Sequence, residues 1–242
     1  MFKPVHTLSV VIPCLNESDF ISTTIKSVKN ERGVLEIILA DGGSTDDTRE
    51  FGSKFGAVIV DSRKGRGIQI NSGISESAGD VVLILHADCR ILPGTMERII
   101  HALNKNLNCI GGALGVNYGT NRLKYRLLAI INNIRASYGK ISFGDQGQFF
   151  RREALDILGG FPRQMLMEDI EFSIRMKNRG KVAFIPDGIV ASVRRWQDKG
   201  FIKNFTHVTV LFMTYLIKRR FFTGDPLKID FYNRYYKNDK AS

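Results

Sequence analysis

Apolar residues fall into short, nearly unbroken runs at residues 8–13, 35–40, 57–60 and 81–85. Runs of this length, bounded by turn residues, predict strands buried on both faces. The first is expected to stop at Pro13, which cannot donate to a ladder. Helical spacing marks residues 18–30 and 67–77. Asp41-Gly42-Gly43 reads as a turn, and Ser44, Thr45, Asp46 and Asp47 suit the positive end of a helix. Alternation at this pitch predicts an α/β fold with a Rossmann-like, mostly parallel central sheet and helices on both faces. Ligands of such sheets sit at the carboxyl ends of strands. Asn16, Glu17, Asp41 and Asp88 all follow predicted strand ends.

The second half reads differently. Strands are predicted over 110–116, 146–151 and 182–185, and helices over 122–137, 152–158, 168–178 and 201–220. Leu123, Leu127, Ile130, Ile131 and Ile134 recur at helical spacing, a stripe that normally packs on a core. No internal repeat is visible.

Composition narrows the class. The 242 residues are 43% hydrophobic and 24% charged, which excludes a disordered or collagen-like chain and fits one large domain with an appendage. Three scattered cysteines, Cys14, Cys89 and Cys109, match neither a zinc site nor a disulfide scaffold, so a reducing, cytoplasmic setting is expected. The opening residues lack a signal-peptide pattern. The apolar run at 208–217 is ten residues, against the roughly 20 a membrane span requires, so no crossing is expected.

Net charge is +11 and unevenly placed. Residues 98–144 hold seven Lys/Arg and no acid, and residues 199–240 hold nine against three. An anionic partner follows: a phosphorylated small molecule or an acidic membrane surface. Nucleic acid is disfavoured, because aromatics are not interleaved with the basic runs.

Several short motifs carry possible chemistry. Asp88 at a strand terminus suits Mg²⁺ or Mn²⁺, or simply caps a turn. Arg63-Lys64-Gly65-Arg66-Gly67 before a helix suits a diphosphate, or is a solvated turn. Glu168-Asp169 opens a helix, where acids are favoured anyway, but where a carboxylate can also serve as a general base. Arg194-Arg195-Trp196 offers a cationic fork beside the chain's one tryptophan, or an anchor for the last helix.

In order, Val10-Val11-Ile12-Pro13-Cys14-Leu15-Asn16-Glu17, Asp41-Gly42-Gly43-Ser44-Thr45-Asp46, Gly79-Asp80 leading to His86-Ala87-Asp88, Glu168-Asp169 and Arg195-Trp196 closely resemble the family 2 glycosyltransferases. Gly65-Arg66-Gly67-x-Gln69-x-Asn71-x-Gly73 and Gly144-Asp145-Gln146-Gly147 are similar to its small bacterial branch of arsenosugar-biosynthesis type. The resemblance implies a GT-A fold: a nucleotide-sugar-binding half over 1–105, an acceptor-binding half over 106–196 and a basic helical extension over 197–242. It implies that Pro13, Asn16, Glu17 and Asp41 hold the nucleoside of a UDP- or GDP-sugar. Arg66 and Gln69 would lie near the diphosphate, with Ala87 beside Asp88. Asp88 would bind the metal, Asp169 would be the catalytic base paired with Glu168, and Gln146, Arg195 and Trp196 would face acceptor or diphosphate.

His86 replaces the first Asp of the D-x-D motif, Gly42 replaces a second Asp, and Ser192 replaces the Gln of the processive enzymes' Gln-x-x-Arg-Trp. The last change argues against a polysaccharide synthase. The expected reaction is inverting transfer to a hydroxyl, the acceptor being unknown or lipid-linked. Sugar-1-phosphate nucleotidyl transfer and non-catalytic nucleotide-sugar binding are the alternatives. The basic helices are expected to dock on the inner membrane face, or to pack as core or as a homodimer interface.

Overall fold

A computed structural model describes residues 1–164 and 166–221. β1 (Leu8–Cys14), α1 (Ser18–Lys29), β2 (Val34–Asp41), α2 (Thr48–Lys54), β3 (Val58–Asp61), α3 (Arg66–Glu76) and β4 (Val81–Ile84) supply the expected alternation. The chain continues through β5 (Arg90–Ile91), α4 (Thr95–Lys105), β6 (Cys109–Asn117), α5 (Leu123–Ser137), β7 (Gln148–Arg151) and α6 (Leu155–Leu158). It then forms α7 (Glu168–Arg179), β8 (Lys181–Val190), α8 (Arg194–Asp198) and α9 (Phe201–Phe221). The strands build one eight-stranded sheet in the order β3-β2-β1-β4-β7-β6-β8-β5. β1 to β4 pair in parallel, as do β6 and β8, whereas β7 runs against both its neighbours and β5 against β8.

Buried alternation along β1 explains the layers. Val10 and Ile12 join Ile21, Ile25 and Val28 of α1 and Met96, Ile99 and Leu103 of α4 on one face. Val11 joins Ile70 and Ile74 of α3 and Phe172 and Met176 of α7 on the other. This is the double-sided cover that all-apolar parallel strands require.

β1 does not stop at Pro13 but ends one residue later. The carbonyl of Val11 accepts the Leu85 N–H, so this side of the strand faces β4. Pro13, two residues on, points the same way, where pairing with β4 has already ended at Val11–Ile84 and no donor is required. Likewise β8 runs through Pro186 to Val190, past the expected end at 185. Gln146, expected to open the strand over 146–151, instead closes a 3₁₀ turn over Gly144–Gln146, and β7 begins at Gln148.

The apolar stripe of α5 faces away from the core. Its inner face is Tyr125, Leu128, Asn132 and Ala136. Leu123, Leu127, Ile130, Ile131 and Ile134 are each about half or more exposed. α9 rests on Asn204, Leu211 and Tyr215, the last two packed with Leu166, Met167, Ile170 and Ile174. No helix among the described residues is long and apolar enough to cross a membrane. Of the extension expected over 197–242, residues 222–242 lie outside the described residues.

Arg151, fully buried at the end of β7, ties three segments together. It donates to the carbonyls of Cys109 (2.8 Å), Leu103 (2.8 Å) and Lys3 (2.5 Å). Removing a charged donor strands all three acceptors. Arg151→Met is expected to cost about 3 kcal/mol in urea unfolding, since a bond to a charged group contributes roughly 1.5–3 kcal/mol; a loss under about 1 kcal/mol would contradict this role.

Candidate active site

The carboxyl ends of β1 and β2 are stitched together by the predicted residues themselves. Asn16, in the left-handed region at φ 55°, donates its N–H to Ser44 Oγ (2.9 Å) and accepts the Thr45 N–H on Oδ1 (2.8 Å). Asp41 is buried and accepts the N–H groups of Gly43 (3.2 Å) and Ser44 (3.0 Å), the Ser44 hydroxyl, and Arg49 Nη1 (3.1 Å). Burial pulls its carboxyl upward, but the donors from Ser44, Arg49 and Gly43 outweigh it and hold the group below the usual carboxylate range. Pro13 is buried one residue before the strand end.

Gln69 binds this rim from below. Its Nε2 donates to the carbonyls of Cys14 (2.6 Å) and Ala40 (3.1 Å), bridging the two strand ends. A Cβ at position 42 would lie 2.9 Å from that same nitrogen, a physical reason for glycine where an aspartate was the family's alternative. Arg66, the first residue of α3, donates from Nε to Glu168 Oε1. Glu168 is fully buried, its second oxygen has no hydrogen-bond partner, and burial raises its carboxyl despite Arg66.

Gly144 is where the two halves of the rim meet. Its N–H donates to Asp169 Oδ2 at 2.6 Å. A Cβ there would fall 2.3 Å from His86 Nε2 and 3.3 Å from Asp169 Oδ2, so only glycine fits between them. Asp169 accepts a second N–H, from Ile170, on Oδ1 (2.8 Å). Met167, just before the Glu168-Asp169 pair, is in the left-handed region at φ 60°. Of the four non-glycine residues with positive φ among the described residues, two, Asn16 and Met167, lie at or next to site positions. Burial, with the nearby charges of Arg66 and Arg195, takes the His86 imidazole down to about 3, so it is neutral near pH 7.

Sequence reasoning gave no site role to Asp145 and named Arg194 only as part of a cationic fork. Asp145 accepts the Tyr118 hydroxyl on Oδ2 (3.0 Å), while its buried Oδ1 has no hydrogen-bond partner. Burial raises its carboxyl, Arg135 and Tyr118 oppose that, and the charges of Asp169 and Asp88 raise it further. The signal was its place inside Gly144-Asp145-Gln146-Gly147. Arg194, the first residue of that fork, reaches the rim directly. It donates to both oxygens of Glu17 (2.9 and 3.1 Å), lies 3.7 Å from Asp88 Oδ2 and stacks 4.3 Å from the Phe20 ring centroid. Burial raises the Glu17 carboxyl even so.

Other predicted residues act on the scaffold. Gln146 is buried and accepts Arg135 Nη2 (3.0 Å) and the Phe143 N–H (3.2 Å). The Ala87 carbonyl accepts the Thr24 hydroxyl (2.6 Å). Trp196 packs on the core and meets Phe201, ring centroids 5.5 Å apart. Asp80 lies at the start of β4, where it accepts the His6 and Thr7 N–H groups (2.8 and 3.1 Å).

The donor set fits a hard divalent cation. Ligand atoms of His86, Asp88 and Cys89 lie within 4.8 Å of one another. Cys89 is buried, and burial with the Asp88 and Asp145 charges keeps its thiol protonated, which disfavours a soft-metal site. Asp88 is partly exposed and Asp145 keeps one oxygen without a partner, the oxygen donors that Mg²⁺ or Mn²⁺ prefers.

Comparison with known proteins bears on this arrangement. The profile of the family described as "Glycosyl transferase family 2" matches residues 9–161, more than half of the chain. An undecaprenyl-phosphate 4-deoxy-4-formamido-L-arabinose transferase of Pseudomonas fluorescens (strain Pf0-1) is 28% identical over 170 residues, covering 64% of this chain and 50% of its own. The probable glycosyltransferase YdaM of Bacillus subtilis (strain 168) is 28% identical over 213 residues, covering 77% and 50%. The chain thus spans about half the length of these curated relatives. In fold it is similar to glucosyl-3-phosphoglycerate synthase of Mycobacterium tuberculosis in complex with Mg²⁺ and UDP. The TM-score is 0.61 at 23% identity, over 85% of this chain and 78% of the other. The mannosyltransferase PcManGT of Pyrobaculum calidifontis, in complex with GDP-Man and Mn²⁺, gives a TM-score of 0.59 at 22% identity, over 77% and 57%. The α/β sheet, the ordered motifs along it and the extent of the profile match together make this chain a member of the family 2 glycosyltransferases, with the GT-A fold.

Proposed function

We propose that this chain moves a glycosyl group from a UDP- or GDP-sugar to an acceptor hydroxyl, with inversion at the anomeric carbon. The observation that carries this reading is the meeting of Asp169 and His86, the latter two residues from Asp88, around Gly144. A base on one side of a cleft and a leaving-group site on the other are what an in-line displacement requires.

Asp169 takes the proton from the acceptor hydroxyl, whose oxygen forms the new bond to the anomeric carbon. The bond from that carbon to the diphosphate oxygen breaks, and its electron pair leaves with the nucleoside diphosphate. Asp88 would hold a divalent cation, which would supply positive charge to the departing diphosphate. Arg66 and Arg195, both close enough to act on His86, add cationic field on the same side. The two N–H donors on Asp169 hold its carboxylate in place, and each oxygen retains a lone pair for the proton.

Pro13, Asn16, Glu17 and Asp41, in the half over 1–105, hold the nucleoside. Gln69 serves by fixing the strand ends beneath it. The half over 106–196 receives the acceptor, with Gln146 and Trp196 shaping it through the scaffold. Two observations favour a lipid-linked acceptor at the inner membrane face: the relative named for undecaprenyl phosphate, and the outward apolar faces of α5 and α9.

Asp88→Asn separates metal from fold. The matching nucleotide with Mn²⁺ at about 100 times its Kd should stabilise the wild type by roughly 2.7 kcal/mol, a Tm rise of about 5–10 °C. EDTA or the substitution should remove most of that rise, and an undiminished rise in the variant would move the cation elsewhere. Asp169→Asn should bind the donor normally yet lower kcat roughly 10²–10⁴-fold. Nucleoside diphosphate release with membrane lipid extract as acceptor measures this, and turnover above about a tenth of wild type contradicts the base assignment.

A further inference from the structure

α5 and α9 are apolar on faces they do not need for packing. Helix geometry puts the exposed Leu127, Ile131 and Ile134 of α5 about opposite its buried Tyr125, Asn132 and Ala136. In α9, the exposed Ile202, Val210, Met213 and Ile217 lie about opposite the buried Asn204, Leu211 and Tyr215. Helices that are apolar on both sides are ordinarily covered on both. The second covering is absent among the described residues: Ile202 is 79% exposed and Leu123 is 68% exposed.

The two helices meet near their N-terminal ends and are linked further along through Phe143. Tyr125 of α5 meets Phe201, the first residue of α9, with ring centroids 5.7 Å apart. Ten residues further, Arg135 stacks 3.4 Å from the Phe143 ring centroid, and that ring meets Phe212, eleven residues along α9, at 5.6 Å. The two links are about 15 Å apart along each helix, so both helices pass from the first toward the second in the same sense. Each of the two linked helices thus presents an outward apolar stripe of its own.

Charge decides what covers it. Neither helix contains a single Asp or Glu. Arg122, Lys124 and Arg126 bracket the stripe of α5, and Lys203 and Arg220 that of α9. A second copy of the chain would bring the same cationic rims against each other. An anionic bilayer offers apolar depth to the stripes and phosphate to the rims at once.

We infer that α5 and α9 together form a surface that docks on an anionic lipid bilayer, lying in its interface without crossing it. The inner faces of both helices reach the site. Asn132 of α5 donates to the Tyr118 hydroxyl (2.8 Å), which in turn donates to Asp145. Tyr215 and Arg219 of α9 donate to Glu171 (2.7 and 2.6 Å), one turn after Glu168-Asp169 on α7. Docking therefore fixes the carboxylate rim at a set height above the headgroups, where a lipid-borne hydroxyl or phosphate emerges.

Flotation of the full chain with phosphatidylglycerol/phosphatidylcholine vesicles, without donor or acceptor, tests this apart from the transferase reading. The wild type should float with the anionic vesicles and remain behind with pure phosphatidylcholine. Leu127→Ser/Ile131→Ser/Ile217→Ser should weaken binding at least about tenfold, and so should Arg126→Glu/Lys203→Glu. All five positions are exposed, and unchanged circular dichroism melts would exclude unfolding as the cause. Absence of flotation, or binding that survives both sets, overturns the inference. A wild-type dimer that the serine variant splits, with no vesicle binding by either, overturns it too and assigns the face to a second copy.

Discussion

Gly144 contributes no side chain, and the rim is arranged around that gap. Its N–H fixes Asp169, and His86 fills the space where a Cβ would project. The contact joins α7, which comes late in the chain, to the segment after β4, which comes early. It also brings Asp145, next in sequence, within electrostatic reach of Asp88 and Asp169. Without it the carboxylates would be features of separate loops.

Concentrating carboxylates is costly, and the fold offsets the cost with donors of several kinds. Asp41 is held by Ser44, Gly43 and Arg49, Glu168 by Arg66, Glu17 by Arg194 and Asp145 by Tyr118. Two oxygens, on Glu168 and Asp145, are left buried without a hydrogen bond. Buried polar atoms are nearly always satisfied, so these two oxygens are free to accept a water, an ion or a ligand group. That balance differs from the edge of the molecule, where Asp80 is used only to cap His6 and Thr7.

Much of the fold was legible because strands buried on both faces are written as unbroken apolar runs. Residues 8–13, 35–40 and 81–85 found β1, β2 and β4 within a residue or two. Pro13 and Pro186 misled because a proline ends pairing only where its N–H is required. α4 carries Met96, Ile99 and Leu103 at helical spacing but no unbroken apolar run and no chemical motif, so it does not stand out in the sequence. At the site, position after a strand identified Asp41 and Asp88. It could not show that Gln69 spends its amide on two carbonyls, or that Arg194 grips Glu17, because those contacts join residues far apart in sequence. The stripe of α5 was visible, but which side faces inward depends on Tyr125 and Asn132 finding partners from other elements.

The central claim is that one cleft holds a cation-bridged leaving group and a base. A crystal structure with the bound nucleoside diphosphate and Mn²⁺, the metal located by anomalous scattering, tests it most directly. The account predicts Mn²⁺ coordinated by Asp88 and the diphosphate, with the β-phosphate open toward Asp169. Manganese bound away from Asp88, or a nucleotide whose β-phosphate shares no cavity with Asp169, would contradict it.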